Sequence, residues 1–347
     1  MRAITYDGPA AIRLERVPDP SVLDPGDAIL RVELTAICGS DLHVWHGRER
    51  GLDPGTVMGH ECIGQVVAAG SAVRTVRVGD RAVCPFTTSC GECWYCRDGL
   101  TARCQQGQLF GWVERGLGLN GVQAELVRVP LADGTLVPVA RDLPAEAALL
   151  LADVLPTGWH GARQAESGPG RVTMVLGCGP VGLMAVLAAL EQGAESVLAV
   201  DAVIERLGLA ERFGAQAIGL DGDVSAAVRE ATGGRGADAV VEAVGSAAAG
   251  RLAFDVIRPG GTIATVGVHH EAAMPFTPAE AYDRNLTWRI GRCPARYYAP
   301  GLVPLASRRA VDLAALFTHR LPLEAAADAY RMFDEKRDGC IKVALVP

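Results

Sequence analysis

The 347-residue chain lacks any block of basic residues, and it has almost no lysine. Its only lysines are Lys336 and Lys342, and its formal net charge is −7 at pH 7. A surface that binds nucleic acid needs clustered positive charge, so the composition argues against a nucleic-acid partner. We attach no function to the scarcity of lysine, because arginine supplies the positive charge instead.

The sequence also lacks an uninterrupted apolar run that would predict a membrane-spanning helix. Its most apolar stretch, VTMVLGCGPVGLMAVLAAL (residues 172–190), contains glycines and a proline, which favours a buried strand followed by a buried helix. The first twenty residues are typical of two short strands and a turn rather than of a signal peptide. We therefore expect a cytoplasmic protein with no membrane partner. The length exceeds what one compact core usually holds, which predicts two domains.

Four of the ten cysteines are crowded into one short stretch, CGECWYCRDGLTARC (residues 90–104). Their spacing is C-x2-C-x2-C-x7-C, formed by Cys90, Cys93, Cys96 and Cys104. Disulfides are rare in the cytoplasm, and four thiolates satisfy a closed tetrahedral zinc site. A disulfide pair and an iron–sulfur cluster are the alternatives, but two-residue spacings strain a disulfide and no second redox module is present. The pattern predicts a structural zinc lobe at about residues 88–106.

Three distant segments together offer a second set of metal ligands: AICGSDLHVWHG, MGHECIG and LLLADVLPTGWH. They contain Cys38, His60 and Asp153, that is, one thiolate, one imidazole and one carboxylate. A zinc ion with three such ligands keeps an open position for water or substrate and acts there as a Lewis acid. Each segment is weak evidence alone, because a single cysteine or histidine is more often an ordinary core residue.

Polar residues next to these ligands suggest supporting roles in proton transfer and metal binding. Asp41 is placed to accept a hydrogen bond from the free ring nitrogen of His60. Glu61 is expected behind the metal, and Ser40 and His43 are candidates for carrying a proton from the metal site to solvent.

A glycine motif in the middle of the chain predicts a dinucleotide-binding fold. The apolar run RVTMVLG is followed by Gly177, Gly179 and Gly182 in the pattern G-x-G-x-x-G, and Pro180 and Val181 begin the next helix. These glycines allow a tight turn, a close approach of the backbone to a pyrophosphate, and close packing of helix on strand.

An acidic residue ends the strand that follows this helix. Asp201 lies about twenty residues beyond the last glycine, where a carboxylate accepts hydrogen bonds from both ribose hydroxyls. It would repel a 2′-phosphate, so we expect NAD rather than NADP, although the nearby Arg206 weakens that preference. Strands and helices continue to alternate up to LTWRIG, as a doubly wound parallel sheet requires. An α/β domain without a cofactor is the alternative.

Taken together, these motifs resemble those of the zinc-dependent medium-chain dehydrogenases, the alcohol dehydrogenase family, over essentially the whole chain. The resemblance implies an α/β architecture: a GroES-like β-barrel catalytic domain at 1–154, a Rossmann NAD-binding domain at 155–292, and a return to the catalytic domain at 293–347. It implies two Zn²⁺ ions per subunit and NAD as cofactors. Catalytic zinc would be held by Cys38, His60 and Asp153, and structural zinc by the four clustered cysteines.

The resemblance also implies roles for single residues. Ser40 would take the alcohol proton, His43 would be the distal base, and Glu61 would lie beside the metal. Further residues that match functional positions of the family are Thr157 at the nicotinamide, the backbone around Val268 at its carboxamide, Lys342 at the pyrophosphate, and Phe86 in the wall of the substrate pocket.

Two departures from other family members help to place the chain within the family. Gly39 stands where some members carry a basic residue, and Asp153 stands where animal-type members have cysteine and polyol dehydrogenases usually have glutamate. Asp153 resembles the bacterial enzymes that act on secondary and broad-range alcohols. The chain also lacks the insertion of the large dimeric class, so the resemblance implies a homotetramer, with a homodimer as the alternative.

The substrate pocket is the least determined feature of the sequence. Trp45, Phe86 and Trp112 are candidate wall residues, and an apolar wall favours alkyl or aryl alcohols over polyols. Ordinary core packing is the alternative for each. His269 and His270 follow the last clear Rossmann strand, either near the cofactor or in a solvated loop.

The predicted reaction is NAD-linked, reversible oxidation of a primary or secondary alcohol to an aldehyde or ketone, with that small molecule as the partner. Polyol, threonine or formaldehyde dehydrogenation is the alternative within the family. A non-catalytic protein that binds NAD and zinc, and a zinc-free quinone reductase, are the alternatives outside this reaction.

Overall fold

The computed structural model describes all 347 residues and divides them into two compact units. The antiparallel unit comprises Met1–Pro156 and Pro294–Pro347, and the parallel unit comprises Thr157–Cys293. The predicted boundaries, after residues 154 and 292, lie within two residues of these divisions.

Seventeen strands are present. In chain order they are β1 (Arg2–Gly8), β2 (Ala11–Arg16), β3 (Ala28–Ala36), β4 (Cys62–Ala69), β5 (Arg81–Cys84), β6 (Trp112–Glu114), β7 (Leu117–Leu119), β8 (Leu126–Val129), β9 (Val137–Pro138), β10 (Val172–Leu176), β11 (Ser196–Asp201), β12 (Gln216–Gly219), β13 (Ala237–Glu242), β14 (Ile257–Thr265), β15 (Thr287–Ile290), β16 (Phe317–Pro322) and β17 (Lys342–Val346).

Thirteen α-helices connect them. They are α1 (Asp41–Trp45), α2 (Trp94–Arg97), α3 (Ala132–Thr135), α4 (Ala145–Leu150), α5 (Val154–Gln164), α6 (Pro180–Glu191), α7 (Ile204–Phe213), α8 (Val224–Ala231), α9 (Ala247–Val256), α10 (Pro278–Asp283), α11 (Ala295–Arg308), α12 (Ala310–Ala314) and α13 (Ala326–Glu335), with short 3₁₀ helices at Thr101–Arg103, Leu323–Ala325 and Arg337–Gly339. None of the described helices combines the length and the low polarity that crossing a membrane requires.

The antiparallel unit is built on a seven-stranded sheet in the order β16-β17-β3-β4-β5-β9, with β8 paired to β3. Its central strand β3 alternates apolar and polar residues over part of its length, which is the pattern of a strand with one face on the core. The antiparallel register sets Thr35 opposite Cys62 and Ala36 opposite Ala344. The residues that follow β3 therefore lie close to those that precede β4 and to those that begin β17, at one end of these three strands.

The parallel unit is a six-stranded sheet in the order β12-β11-β10-β13-β14-β15, with every neighbouring pair parallel. Its strands β10 and β13 are buried along their whole length, as expected for strands with helices on both faces. The chain order reverses between β10 and β13, and ligands of such sheets bind in the crevice at the carboxyl ends of the strands there. The predicted doubly wound fold is confirmed.

Candidate metal centres and coenzyme site

The register of β3 and β4 brings together the ligands of the first predicted metal site. Cys38 lies two residues after the end of β3, and His60 lies two residues before the start of β4. Asp153 immediately precedes α5. The ligand atoms of Cys38, His60, Glu61 and Asp153 all lie within 4.8 Å of one another, and the first three of these residues are buried.

The distances within this cluster suit a single divalent cation. The Asp153 Oδ2 atom lies 3.6 Å from Cys38 Sγ and 3.5 Å from His60 Nε2. Because zinc–ligand bonds measure about 2.0–2.3 Å, donor atoms separated by about 3.5 Å fit around one tetrahedral ion. A thiolate, an imidazole and a carboxylate form a ligand set of the kind that catalytic zinc uses.

Asp41 orients two members of this cluster. Its Oδ1 atom lies 3.2 Å from His60 Nδ1, and its Oδ2 atom accepts a hydrogen bond of 2.9 Å from the Cys38 amide. The carboxylate therefore leaves the Nε2 atom of His60 as the nitrogen that faces Asp153, and it also fixes the turn that carries Cys38. The sequence predicts the contact of Asp41 with His60, and the hydrogen bond from the Cys38 amide is an additional finding.

Without a metal ion, the electrostatics of the cluster favour protonated ligands. Burial raises the pKa of the Cys38 thiol, and the charges of Glu61 and Asp153 raise it further. Burial acts to lower the pKa of His60, but the Asp41 charge and hydrogen bonds to Asp153 and Asp41 outweigh burial, and this pKa is well above its usual value. Since a metal ion binds the deprotonated forms, loading the site would release these protons.

Lys342 has a different role from the predicted contact with pyrophosphate. Its side chain is fully buried, its Nζ atom lies 3.0 Å from Glu61 Oε1, and it also donates to the Ile37 carbonyl at 3.4 Å. An ammonium group enclosed in this way is not available to a phosphate outside the unit. The pairing of β17 with β3 explains the position, because it places the start of β17 beside the residues that follow β3.

The second oxygen of Glu61 remains inside the metal cluster. Its Oε2 atom is buried and accepts no hydrogen bond, whereas its Oε1 atom accepts one from Lys342 Nζ. Burial raises the pKa of Glu61, and the positive charge of Lys342 opposes that rise. A buried carboxylate oxygen without a donor is costly, and a cation at the cluster would compensate for it.

Ser40 and Phe86 both lie beside His60. The Ser40 Oγ atom is 3.2 Å from His60 Nε2, so its hydroxyl lies on the side where the metal would bind. The Phe86 ring meets the His60 ring edge to face, with centroids 6.4 Å apart. Phe86 therefore lies beside the cluster, and its role as a pocket wall stays a prediction, as does the relay role of His43.

Trp45 belongs to the hydrophobic core of the antiparallel unit. It is 7% exposed and packs against Tyr330, with ring centroids 5.6 Å apart. Trp112 is partly buried against the same core cluster. Ordinary core packing accounts for these contacts, and a role of either tryptophan in a pocket wall stays a prediction.

The four clustered cysteines form a second, compact site in the antiparallel unit. All ten cysteines are free thiols, and the four Sγ atoms lie within 4.8 Å of one another, with separations of 4.0 Å for the pairs Cys90–Cys96 and Cys93–Cys104. A tetrahedron with zinc–sulfur bonds of about 2.3 Å has edges of about 3.8 Å, so the arrangement fits zinc closely. The predicted disulfide alternative is absent.

Backbone amides surround these sulfur atoms. Amides of Gln105 and Cys96 lower the pKa of Cys93 to about 6, whereas burial raises the pKa of Cys96 to about 12. The four thiols would therefore not all ionise by themselves at neutral pH, and a cation is required to hold four thiolates so close together.

The glycine motif of the parallel unit has the geometry of a phosphate-binding turn. Gly177 has a φ of +88°, and a Cβ atom at Gly182 would lie 1.6 Å from the Gly177 carbonyl oxygen. A Cβ at Gly179 would meet nothing closer than 3.8 Å, so the space in front of this residue is open. Pro180 begins helix α6 as predicted, with Val181 in its first turn, and the free amides of that turn point toward this space.

Asp201 ends β11 next to this turn. Its Oδ2 atom accepts a hydrogen bond of 2.6 Å from the Cys178 amide, and its Oδ1 atom accepts one of 2.8 Å from the Val203 amide. The Arg206 guanidinium is 3.8 Å from Asp201, and its buried Nε atom has no hydrogen-bond partner. The carboxylate and the guanidinium therefore both border the site where an adenosine ribose is expected.

The remaining predicted coenzyme residues also lie in the parallel unit. Thr157 is buried in α5, and Val268 is 42% exposed in the loop after β14. Their predicted contacts with nicotinamide stay predictions.

Comparison with known proteins agrees with this arrangement. The family model described as "Alcohol dehydrogenase GroES-like domain" matches residues 24–141, and the model described as "Zinc-binding dehydrogenase" matches residues 180–308. Zinc-type alcohol dehydrogenase B of Aspergillus flavus is 41% identical over 346 residues, which cover 96% of this chain and 79% of that protein.

Solved structures show the same fold. Alcohol dehydrogenase TADH from Thermus sp. ATN1 superposes with a TM-score of 0.93 at 38% identity, covering 100% of this chain and 99% of that one. A zinc-binding dehydrogenase from Sinorhizobium meliloti, solved with NADP bound, has a TM-score of 0.86 at 26% identity, covering 100% and 99% of the two chains.

A GroES-like unit combined with a Rossmann-type unit, with two clusters of residues that could each hold a metal ion, is the arrangement of the medium-chain class of dehydrogenases. Within that class, this chain belongs to the zinc-dependent alcohol dehydrogenase family.

Proposed function

We propose that the protein catalyses the reversible, NAD-linked oxidation of primary and secondary alcohols to aldehydes and ketones at a zinc ion held by Cys38, His60 and Asp153. The observation that carries this proposal is the convergence of those three donor atoms, with the Ser40 hydroxyl 3.2 Å from His60 Nε2. When bound, zinc supplies Lewis-acid polarisation of the alcohol oxygen and nicotinamide supplies a hydride acceptor.

The residues of the chain would then orient the substrate and move the proton. Ser40 Oγ accepts the proton of the alcohol hydroxyl, and His43 receives it on the way to solvent. Asp41 keeps His60 in the tautomer and ring orientation that the metal requires, since it binds Nδ1. Glu61 and Lys342 together add no net charge to the buried surroundings of the metal.

For the coenzyme, the proposal is NAD in preference to NADP. A carboxylate at Asp201 favours two ribose hydroxyls and disfavours a 2′-phosphate, because like charges repel. Arg206 is 3.8 Å away and opposes this preference only in part, since the amides of Cys178 and Val203 hold the carboxylate at the edge of the site.

For the substrate, the apolar ring of Phe86 beside His60 supports alkyl or aryl alcohols over polyols. Four thiolates at the second cluster support a second, structural zinc ion. The homotetramer remains a prediction that follows from the family resemblance, and the cytoplasmic location remains an expectation from the sequence patterns.

The experiment is steady-state kinetics on the zinc-loaded protein with 2-propanol, benzyl alcohol and sorbitol, each with NAD and with NADP. We expect turnover of the first two alcohols, and a kcat/KM for NAD at least about tenfold above that for NADP. Ser40→Ala should lower kcat by about 100- to 10 000-fold while zinc content stays unchanged. The exposed Ser21 provides a matched control, and Ser21→Ala should retain full activity.

Each alternative function predicts a different result. Preferred turnover of sorbitol would indicate a polyol dehydrogenase instead. A Ser40→Ala variant as active as Ser21→Ala would contradict the proposed proton path. Coenzyme and zinc binding without turnover of any alcohol would indicate the non-catalytic alternative.

A further inference from the structure

Two loops of the parallel unit lie against each other at the carboxyl edge of the sheet. One follows β13 (residues 243–246) and the other follows β14 (residues 266–271). Their contact is backbone to backbone: a Cβ at Gly245 would lie 2.3 Å from the Val268 carbonyl oxygen, and a Cβ at Gly267 would lie 2.2 Å from the Gly245 nitrogen. Gly245 also has a φ of +79°, so neither glycine tolerates a side chain.

One buried carboxylate joins these loops. Glu242, the last residue of β13, is 0% exposed. Its Oε1 atom accepts hydrogen bonds of 2.8 Å from the Val244 and Gly245 amides, and its Oε2 atom lies 2.9 Å from His269 Nε2. A carboxylate inside a protein is stable only when such partners replace water, so His269 completes the set that keeps Glu242 in place.

The histidine is anchored on its other side as well. Its Nδ1 atom lies 3.2 Å from Glu271 Oε2, and Glu271 Oε1 accepts a hydrogen bond of 2.9 Å from the Ala247 amide at the start of α9. The sequence His269–Glu271 therefore connects the end of β13, the loop after β14 and the first turn of α9. We call this set of contacts between Glu242, His269 and Glu271 the loop clasp.

The loop clasp lies where a dinucleotide ligand is expected. Glu242 aligns with Leu176, the residue before the glycine turn, across the β10–β13 pair at which the chain order reverses. Val268, whose backbone is the predicted partner of the nicotinamide carboxamide, precedes His269 directly and is 42% exposed. The conformation of the backbone around Val268 thus depends on contacts within the protein, and it does not require the coenzyme to be bound.

We infer that His269 is a positioning residue for the coenzyme: through Glu242 it holds the backbone around Val268 in the conformation that receives the carboxamide. This inference rests on the proposed function, because it takes nicotinamide as the ligand of that segment. It goes further in assigning a role to His269, for which the sequence left open an approach to the cofactor or a solvated loop. Preorganisation of this kind strengthens binding, because the loop is ordered before the ligand arrives.

The test compares His269→Leu, which cannot donate a hydrogen bond, with His269→Gln, which can still donate to Glu242. His319→Leu is the matched control, since the side chain of His319 hydrogen-bonds only to the neighbouring Thr318 side chain, in the antiparallel unit. NADH affinity is measured by fluorescence titration of the zinc-loaded protein. We expect the Kd to rise about tenfold in His269→Leu, by less than about threefold in His269→Gln, and not at all in the control.

A second readout reports on the loops without any coenzyme. Hydrogen–deuterium exchange of the free protein should be faster at residues 243–247 and 266–271 in His269→Leu, and the same as wild type elsewhere. An NADH affinity in His269→Leu equal to that of wild type would overturn this inference alone. A wild-type protein that binds neither NADH nor NADPH would overturn the proposed function and this inference with it.

Discussion

The ion pair between Lys342 and Glu61 is wholly enclosed in the antiparallel unit, next to the three-ligand metal cluster. Both side chains are 0% exposed, their charged atoms are 3.0 Å apart, and the Ile37 carbonyl is the only other hydrogen-bond acceptor near the ammonium group. In the variant Lys342→Met, the Glu61 Oε1 atom would remain buried without the ammonium group that now faces it. Removal of one member of a buried pair costs about 3–5 kcal/mol for this reason.

The expected change in melting temperature follows from the size of the unit. For a cooperative unit of 150–250 residues, 1 kcal/mol corresponds to about 2–4 °C, so Lys342→Met should lower the Tm by roughly 6–20 °C. The measurement is calorimetry on zinc-loaded protein. The only other lysine, Lys336, is exposed, so Lys336→Met is a matched control that should shift the Tm by no more than about 2 °C.

A double variant separates the ion pair from simple loss of packing. In Lys342→Met/Glu61→Gln both charges are absent, so the double variant should lose clearly less stability than the sum of the two single variants. Additive losses would refute the pair as the source of the effect. A Tm for Lys342→Met equal to that of the Lys336→Met control would refute the burial argument itself.

Two further outcomes follow from the metal lobe and from the parallel sheet. Cys96→Ser should remove one zinc equivalent per subunit, since it deletes one of four converging thiolates, and unchanged zinc content by mass spectrometry would contradict the structural site. Asp238→Asn should cost about 1–3 kcal/mol at neutral pH, because Asp238 accepts bonds from Arg258 and from the Val172 amide. Burial acts to raise the pKa of Asp238, but those two bonds lower it below 3.8, so its contribution is present above that pH and is lost as the pH falls further. Urea unfolding at several pH values should show the difference from wild type shrinking in acid, and a difference that persists would contradict the assignment.

The features that could be predicted from sequence are those whose residues lie close together along the chain. The glycine turn, its preceding strand and Asp201 fall within about thirty residues, and the four cysteines fall within fifteen. Turn chemistry and ligand spacing act over such short distances, so the local pattern alone is specific. The three ligands of the other metal site are far apart, so their residue types suggested the set and the family resemblance supported it.

Two residues show what local pattern does not determine. Trp45 is an apolar aromatic residue next to polar metal-site residues, and such a residue serves equally well in a core or in a pocket wall. Its contact with Tyr330, nearly three hundred residues away, placed it in the core. Lys342 is a basic residue in a short strand, and nothing near it in the sequence indicates that its partner is Glu61.

The sequence by itself determined the class of fold, the two candidate sets of metal ligands and the position of the dinucleotide motif, because each depends on residue types at fixed spacing or on matches along the whole chain. Only the tertiary structure decided which buried charges neutralise one another and which loops brace one another. The antiparallel pairing of β17 with β3 placed Lys342 beside Glu61. Similarly, the parallel pairing of β13 with β14 set Glu242 beside the loop of His269. Ion pairs and hydrogen bonds form only between groups a few ångströms apart, so these contacts arise only where strand pairing has brought distant segments together.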